Sequence, residues 1–424
     1  MNDFNRLLQP KELATSFEEV QEPSTKDFDI DRLLQPMEQS TFFSEYWEQR
    51  PLILSRRKAN YYSSLFSMQD VDSVIYFTKP TNTHIRLLNN GQLKPNNYVN
   101  RNGILNINQL YDGYHQGNTI ILEGLHERWK SISIFSRHLE SFFNHPVNVN
   151  MYLTPRNSQG FSPHFDTHDV FILQVEGKKH WRIYDSFLCL PSPMMDESQQ
   201  FIPQDKLSNP LYEVVLNAGE LLYIPRGYVH EALTSDCSSL HLTVGIATFS
   251  WADLISNALR SVNEQNVCFR KSLPIGFLNY DEMIESLKHQ FKELLELLSN
   301  TAIEDAVNRL AKKFFRQMPP LPDGHFTQID DLSQIDLDTI VEKRKGMICR
   351  IIREEGSISI QFPGNQVRGP NYIEPALRFI AASGAFPVRA ISETLSDNGK
   401  LVLVRRLLKE GLLTRAQEKT LYST

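Results

Sequence analysis

The chain has 424 residues, 41% of them hydrophobic and 22% charged, with a net charge of -6. That length exceeds one ordinary core and points to two or three domains, and the composition excludes a disordered or fibrous chain. No apolar run is long enough to cross a bilayer, no secretion-signal pattern opens the chain, and Cys189, Cys237, Cys268 and Cys349 form no CxxC pair, so a reducing, cytoplasmic setting is expected.

The pentapeptide RLLQP occurs at Arg6 to Pro10 and again at Arg32 to Pro36, and both copies run on to a Glu, a Thr and a Phe. A polar, proline-containing stretch, QEPSTKDFD, separates them as a linker does, so residues 1–27 are expected to form an N-terminal arm. From about Phe42 to Phe249 the chain breaks into short apolar or alternating stretches bounded by Asn, Gly and Pro: PLILS, IRLLNNG, TIILEG, VNVNMYLTP, DVFILQVEG, KHWRIYD, YEVVLNAGE, LLYIPRG and LHLTVGIA. Many short strands of this kind predict a β-barrel or sandwich. After Trp251 the period becomes helical. Met283, Ile284, Leu287, Phe291, Leu294, Leu295 and Leu298 fall on one stripe, and AIEDAVNRLAKKFF continues it. PPLPDG closes the helical block, and beyond it ISISIQFPG predicts a β-ribbon between helical segments that end in GKLVLVRRLLKEGLL. Helices plus a ribbon suggest a winged-helix-like domain. Residues 341–424 carry 14 Lys+Arg against 8 Asp+Glu, so this end is +6 and the rest of the chain -12. So small a surplus, interspersed with acids, predicts at most weak, salt-sensitive nucleic-acid contact.

The chemistry concentrates in GFSPHFDTHDV, residues 160–170. On an extended strand alternate side chains share a face, so His164, Asp166 and His168 are expected to project together. An imidazole and a carboxylate two residues apart can grip one divalent ion, and a second imidazole from elsewhere completes a 2-His-1-carboxylate set with positions left open for Fe(II) oxygenase chemistry. His230 is the strongest candidate for that second imidazole, because LLYIPRGYVH is an apolar strand stopped by Pro225 and Gly227, where a turn presents His230 at a barrel mouth. His168 lies roughly 13 Å from His164 along an extended chain, too far for one ligand set, and suits a pocket or surface position. His241, between Leu240 and Leu242, suits a hydrogen-bonding place near the site rather than ligation. Asn150 and Tyr152 share a strand face with Asn148, opposite Val147, Val149 and Met151. Arg156 and Gln159 belong to a rim loop, where they could meet substrate, although its Pro, Asn, Ser and Gly residues make a turn without further cause.

With NMYLTPRNSQGFSPHFDTHDVFILQVEGKKHWRIYD followed by GELLYIPRGYVHEA, the chain resembles the JmjC/cupin-type ribosomal oxygenases, which are 2-oxoglutarate-dependent protein hydroxylases. SEYWEQRPLILSRR is similar to the family's entry segment, and the helical block and basic tail to its dimerisation and winged-helix domains. The resemblance implies an α+β chain with a double-stranded β-helix (jelly-roll, cupin) core at 28–250, a helical dimerisation domain at 251–322 and a winged-helix-like domain at 323–424. It implies Fe(II) on His164, Asp166 and His230, with 2-oxoglutarate and O2 as cosubstrates. It also implies Lys179 as the anchor of the distal carboxylate of 2-oxoglutarate, and Asn150 and Tyr152 as pocket residues. The local pattern agrees for Lys179, which follows the glycine turn expected at Gly177, while Lys178 faces the other way. The expected partners are a protein or peptide substrate, most plausibly a His or Arg side chain of a ribosomal protein, and a second copy of the chain, with no membrane. A biosynthetic peptide or free amino acid is an alternative substrate. A non-catalytic cupin scaffold fits less well, since it needs neither the ligand set nor Lys179.

Overall fold

Apolar residues at every second position, or in unbroken short runs, make strands the framework of the first part of the chain. The structure, a computed structural model, describes residues 28–95, 98–100, 103–192, 202, 207–278, 283–299 and 303–416. The first copy of RLLQP, with the rest of the expected arm, lies outside the described residues. The chain divides into two units, Met1–Thr248 and Phe249–Thr424.

The first unit runs α1 (Ile30–Leu34), α2 (Gln39–Glu45), β1 (Leu52–Leu54), α3 (Met68–Thr78), β2 (Ile85–Asn89), β3 (Gln92–Leu93), α4 (Ile107–His115), β4 (Thr119–Leu122), α5 (Lys130–Phe143), β5 (Val147–Thr154), β6 (Asp169–Ser186), β7 (Tyr212–Asn217), β8 (Leu221–Ile224), β9 (Tyr228–Leu233) and β10 (Ser239–Ile246). Its strands form one antiparallel system in the order β1-β8-β6-β10-β5-β4-β2-β3, with β7 and β9 also on β6. Strand β6 organises it. Its first half lies between β8 and β10, and its second half between β7 and β9. One strand thus serves two sheets, and the space between them is the interior of the expected jelly roll. The second RLLQP copy packs against this barrel: Leu33 and Leu34 are fully buried, and the buried Arg56 donates to the carbonyls of Leu33 (2.5 Å) and Gln35 (2.6 Å) and to the Tyr62 hydroxyl (2.7 Å). Burying each such leucine is worth about 1.5–3 kcal/mol.

The second unit holds α6 (Trp251–Gln265), α7 (Met283–Ser299), α8 (Ile303–Gln317), α9 (His325–Asp330), β11 (Ile340–Lys343), β12 (Arg350–Glu354), β13 (Ser357–Phe362), β14 (Asn365–Pro370), α10 (Glu374–Ala382), β15 (Phe386–Pro387), α11 (Asp397–Lys409) and β16 (Leu413–Arg415). The ribbon expected at ISISIQFPG is β12-β13-β14, and a second sheet has the order β15-β11-β16. Val404, Leu407, Leu408 and Leu412 of the last helical segment are buried with Val341, Ile360 and Leu377. Among the described residues no helix is long and apolar enough to cross a membrane.

Three local expectations are corrected. Residues 160–168 are not a strand: β6 begins at Asp169, and of the preceding stretch only His164 makes a β-bridge, to His230. Pro163 contributes no amide donor there, so a regular ladder cannot form. Gly177 does not end a strand; β6 passes through it with φ 67°, and a Cβ there would lie 1.9 Å from the Ser238 carbonyl oxygen. The turn at Pro225 to Gly227 is real, but it is followed by strand β9, so His230 sits in mid-strand rather than on a turn. The helices α3, α4 and α5 were also hidden in the β-rich texture; α5 shows the helical stripe Ile132, Phe135, Leu139, all fully buried.

Gly177→Ala is expected to lower stability by about 2–4 kcal/mol, the combined cost of a left-handed non-glycine residue and displaced backbone. Urea denaturation followed by circular dichroism checks this; an unchanged midpoint contradicts the tight passage of β6 beneath Ser238.

Candidate metal centre

Two backbone hydrogen bonds build the centre. His164 N donates to His230 O (3.2 Å) and His230 N to His164 O (2.8 Å), so the irregular segment that carries His164 and Asp166 is clipped against β9. The turn before β9 adds a third tie, from Gly227 N to Asp166 O (3.0 Å). One ligand atom each from His164, Asp166 and His230 then lie within 4.8 Å of one another, with the imidazole centroids 4.5 Å apart and His230 Nε2 3.6 Å from Asp166 Oδ2.

The ring orientations suit ligation. His164 Nδ1 is 2.9 Å from Ser162 O, and His230 Nδ1 is 3.1 Å from Tyr228 O. A carbonyl oxygen only accepts, so each Nδ1 carries the proton and each Nε2 keeps a lone pair. Burial, reinforced by the neighbouring His164, pushes the His230 imidazole down to about 4, which keeps it in the neutral form a metal requires. Burial alone raises Asp166, but the imidazoles of His168, His164 and His230 outweigh it and hold the carboxyl below its usual range. This donor set fits Fe(II): two imidazoles and one carboxylate, with further coordination positions open.

His168 stands outside the group. Its ring lies against the backbone of β10 at Gly245, where a Cβ would come within 2.6 Å of it. His241 is likewise not a ligand. It is 2% exposed, stacks on Tyr152 (4.9 Å between centroids, 7° between planes) and meets Trp181 edge-on at 5.5 Å. Burial first, and Lys179 second, push its imidazole well below the ordinary value.

Lys179 is 4% exposed, donates to Thr154 Oγ1 (3.0 Å) and lies 5.8 Å from the centroid of the Trp181 ring. No carboxylate among the described residues pairs with it, and burial pushes its ammonium down to about 7. A buried ammonium without an anion is costly, and a ligand carboxylate is what it lacks. Lys178 points the other way, exposed and paired with Asp236 at 3.0 Å. Near Lys179 the indole Nε1 of Trp181 and Nδ1 of His241 are buried and lack hydrogen-bond partners among the described residues. Three polar groups of one barrel interior therefore have bonding capacity to spare, which fits a small polar cosubstrate. Asn150, by contrast, already accepts from Gly124 N (3.1 Å), and Tyr152 supports His241. Arg156 is exposed, and Gln159 donates to Glu231 (3.0 Å).

Sequence reasoning missed Thr154 and Trp181. Alternation already pointed to both, since Thr154 continues the face of Asn150 and Tyr152, and Trp181 that of Lys179.

Residues 125–254 match the JmjC domain family, a span that includes His164, Asp166, His230, Lys179 and His241. Along the chain, ribosomal oxygenase 1 of Gallus gallus is 29% identical over 87% of this chain and 69% of its own length. The bifunctional lysine-specific demethylase and histidyl-hydroxylase of Aedes aegypti is 32% identical over 87% of this chain and 64% of its own. For ribosomal oxygenase 1 of Danio rerio the identity is 32% and the shares are 65% and 54%, so the chain spans between about half and seven tenths of these relatives. Among solved structures, the ribosomal oxygenase YcfD of Escherichia coli, in complex with cobalt and 2-oxoglutarate, has the same fold. Its TM-score is 0.54 at 17% identity, over 89% of this chain and 98% of that one.

Proposed function

We propose that this chain is a JmjC protein of the ribosomal oxygenase family and an Fe(II)- and 2-oxoglutarate-dependent oxygenase. Its substrate is a side chain, histidine or arginine, of a ribosomal protein. The observation that carries this reading is the pairing of the His164, Asp166, His230 group with a buried lysine that has no carboxylate partner among the described residues, in one barrel. Bound there, iron and 2-oxoglutarate supply oxidation of an unactivated C–H bond, which no protein side chain performs. The chain's own residues do the rest. His164, Asp166 and His230 hold the metal; Lys179, placed by Thr154 and Trp181, receives the distal carboxylate; and the apolar surround of Val170, Ile172, Ile183 and Ala232 keeps water out. Asn150, Tyr152 and His241 belong to the pocket wall, with Tyr152 and His241 acting as a stacked pair beside Lys179.

In the second unit the apolar faces of α6 and α7 support a dimer. Trp251 (79% exposed), Ile255 and Leu259 lie one turn apart on α6, and Ile284, Phe291 (61%) and Leu295 are exposed on α7. Single helices do not display such stripes to water without a partner, and a second copy of the chain fits the family. The described residues from 323 onward are the winged-helix-like part, in an architectural or docking role: Arg405 donates to Ile335 O (2.7 Å), Lys400 to Arg389 O (3.0 Å), and Arg406 pairs with Glu410 (2.7 Å). Cations spent inside a domain are poor readers of base edges. Four free thiols suit a reducing cytoplasm.

His164→Ala or Asp166→Ala is expected to abolish succinate formation while leaving the circular dichroism spectrum unchanged; wild-type turnover with added Fe(II) sinks the ligand assignment. Mass spectrometry of ribosomal proteins before and after O2 addition to the anaerobic mixture should show a gain of one oxygen. A loss of methyl groups instead makes the enzyme a demethylase.

Lys179 makes cosubstrate binding pH-dependent. Its ammonium is depressed to about 7 in the empty barrel, and a paired carboxylate raises it, so binding takes up a proton above that value. Affinity for 2-oxoglutarate is therefore flat below pH 7 and falls by up to about tenfold per pH unit above it. Calorimetry on the Mn(II)-loaded protein checks this. Lys179→Arg, whose charge is permanent, should remove the slope, and Lys179→Ala should cost about 2–5 kcal/mol of binding. A slope that persists in Lys179→Arg assigns the proton elsewhere.

Phe291→Glu with Leu295→Glu is expected to halve the mass seen by light scattering at micromolar concentration. A wild-type protein that is already a monomer there contradicts the dimer.

A further inference from the structure

The segment that brings His164 and Asp166 to the centre has no ladder of its own, yet it is held against β9 at two isolated bridges, Gln159 with Leu233 and His164 with His230. Between those bridges β9 presents Glu231. Side chains alternate along a strand, so Glu231 leaves the sheet on the face opposite to His230, and it is nonetheless only 4% exposed. Both of its carboxyl oxygens are used. Oε1 accepts from the Tyr184 hydroxyl (2.7 Å) and Oε2 from Gln159 Nε2 (3.0 Å), while Arg182 Nη1 stands 3.7 Å away. Arg182 and Tyr184 belong to the half of β6 that pairs with β9, where Arg182 lies opposite Glu231 and Ile183 opposite His230. One carboxyl group therefore ties together the ligand-bearing segment, the strand of the third ligand and the strand that supports both.

A buried carboxyl is costly unless bonded on both oxygens, and an apolar residue would fill the same space without that cost. Its neighbours here lie next to the centre: His230 is the adjacent residue, and Gln159 is five residues before His164. Other ties hold the segment to the barrel without Glu231, including Asn90 N to Gln159 O (3.0 Å), Gly91 N to Gly160 O (2.7 Å) and Asn157 N to Ser235 O (2.7 Å). The fold thus has its own anchors.

We propose that Glu231 is a positioning residue of the metal centre, and that the Gln159–Glu231–Tyr184 clamp sets the spacing between the His164 segment and His230. This rests on His164, Asp166 and His230 being the metal ligands. Outer partners that orient ligands in this way typically contribute 10- to 100-fold to metal affinity.

The test uses the full chain and Co(II), titrated by calorimetry and followed by the visible spectrum of the bound ion, which reports ligand geometry. Glu231→Ala is expected to weaken Co(II) binding by about 10- to 100-fold and to alter the spectrum at saturation. Glu231→Gln should restore both, because its amide oxygen still accepts from Tyr184 and its amide nitrogen donates to a Gln159 side chain turned end for end. Gln159→Leu and Tyr184→Phe each remove one arm, so each should produce part of the loss. Combined with Glu231→Ala they should add nothing further. Wild-type affinity and spectrum in Glu231→Ala overturn the proposal, as does a Glu231→Gln variant no better than alanine. If Glu231→Ala fails to fold, the two single-arm variants decide, and wild-type Co(II) binding in both overturns it. His164→Ala separates the premise from the proposal: if that variant binds Co(II) like the wild type, the assignment of the centre fails whatever Glu231 does.

Discussion

The pair of backbone hydrogen bonds between His164 and His230 is the constraint on which the site depends. Two candidate ligands on a segment without regular structure and a third on a strand sixty-odd residues later need a common reference. A bridge closed in both directions supplies it, because it fixes both Cα positions at once and leaves only side-chain torsions to settle. Those torsions are settled in turn by carbonyl groups. Ser162 O and Tyr228 O each hold an Nδ1, so both rings offer Nε2 to the same point. Backbone groups thus set position and tautomer.

Charge burial shapes the rest of the barrel. At the entrance to β6, fully buried Asp169 accepts from the Tyr223 hydroxyl (2.8 Å) and Arg226 (2.5 Å), and Arg226 reaches on to Glu48 (2.6 Å). In this network two carboxylates share one guanidinium, and it secures the turn that precedes β9. Lys179, in the second half of the same strand, is the opposite case. It has a hydroxyl and an aromatic face for company but no anion among the described residues. The same low polarity that makes the Asp169 network firm leaves Lys179, with no carboxylate partner among the described residues, a candidate binding group.

Strand β6 links these two regions. Its eighteen residues cross from one sheet to the other, and the left-handed residue Gly177 lets it pass beneath the Ser238 carbonyl at the crossover. Lys179 and Trp181 follow within four residues, so the close passage also determines how far into the barrel their side chains reach. In the second unit the balance differs: its basic residues are largely satisfied within the domain, and its unsatisfied surface is apolar.

Local pattern was sufficient for much of this. Alternation in VNVNMYLT put Asn150 and Tyr152 on one face and Val147, Val149 and Met151 in the core, and the stripes of α7, α8 and α11 were visible from their spacing alone. The spacing of His164 and Asp166, with His230 past a Pro-Gly turn, sufficed to nominate the metal group, since ligand chemistry limits which residue types can serve. The error lay in how they are presented. Residues 160–168 were expected to hold their ligands by strand periodicity, but Pro163 breaks the ladder, and a single bridge to a distant strand does the work instead. Alternation placed Thr154 and Trp181 on the right faces, but the contact of Thr154 with Lys179 and those of Glu231 with Tyr184 and Gln159 join residues far apart in the chain and appear only in three dimensions. Periodicity is a property of neighbours along the chain and can be seen in the sequence, whereas pairing across a barrel depends on register, which long-range contacts decide.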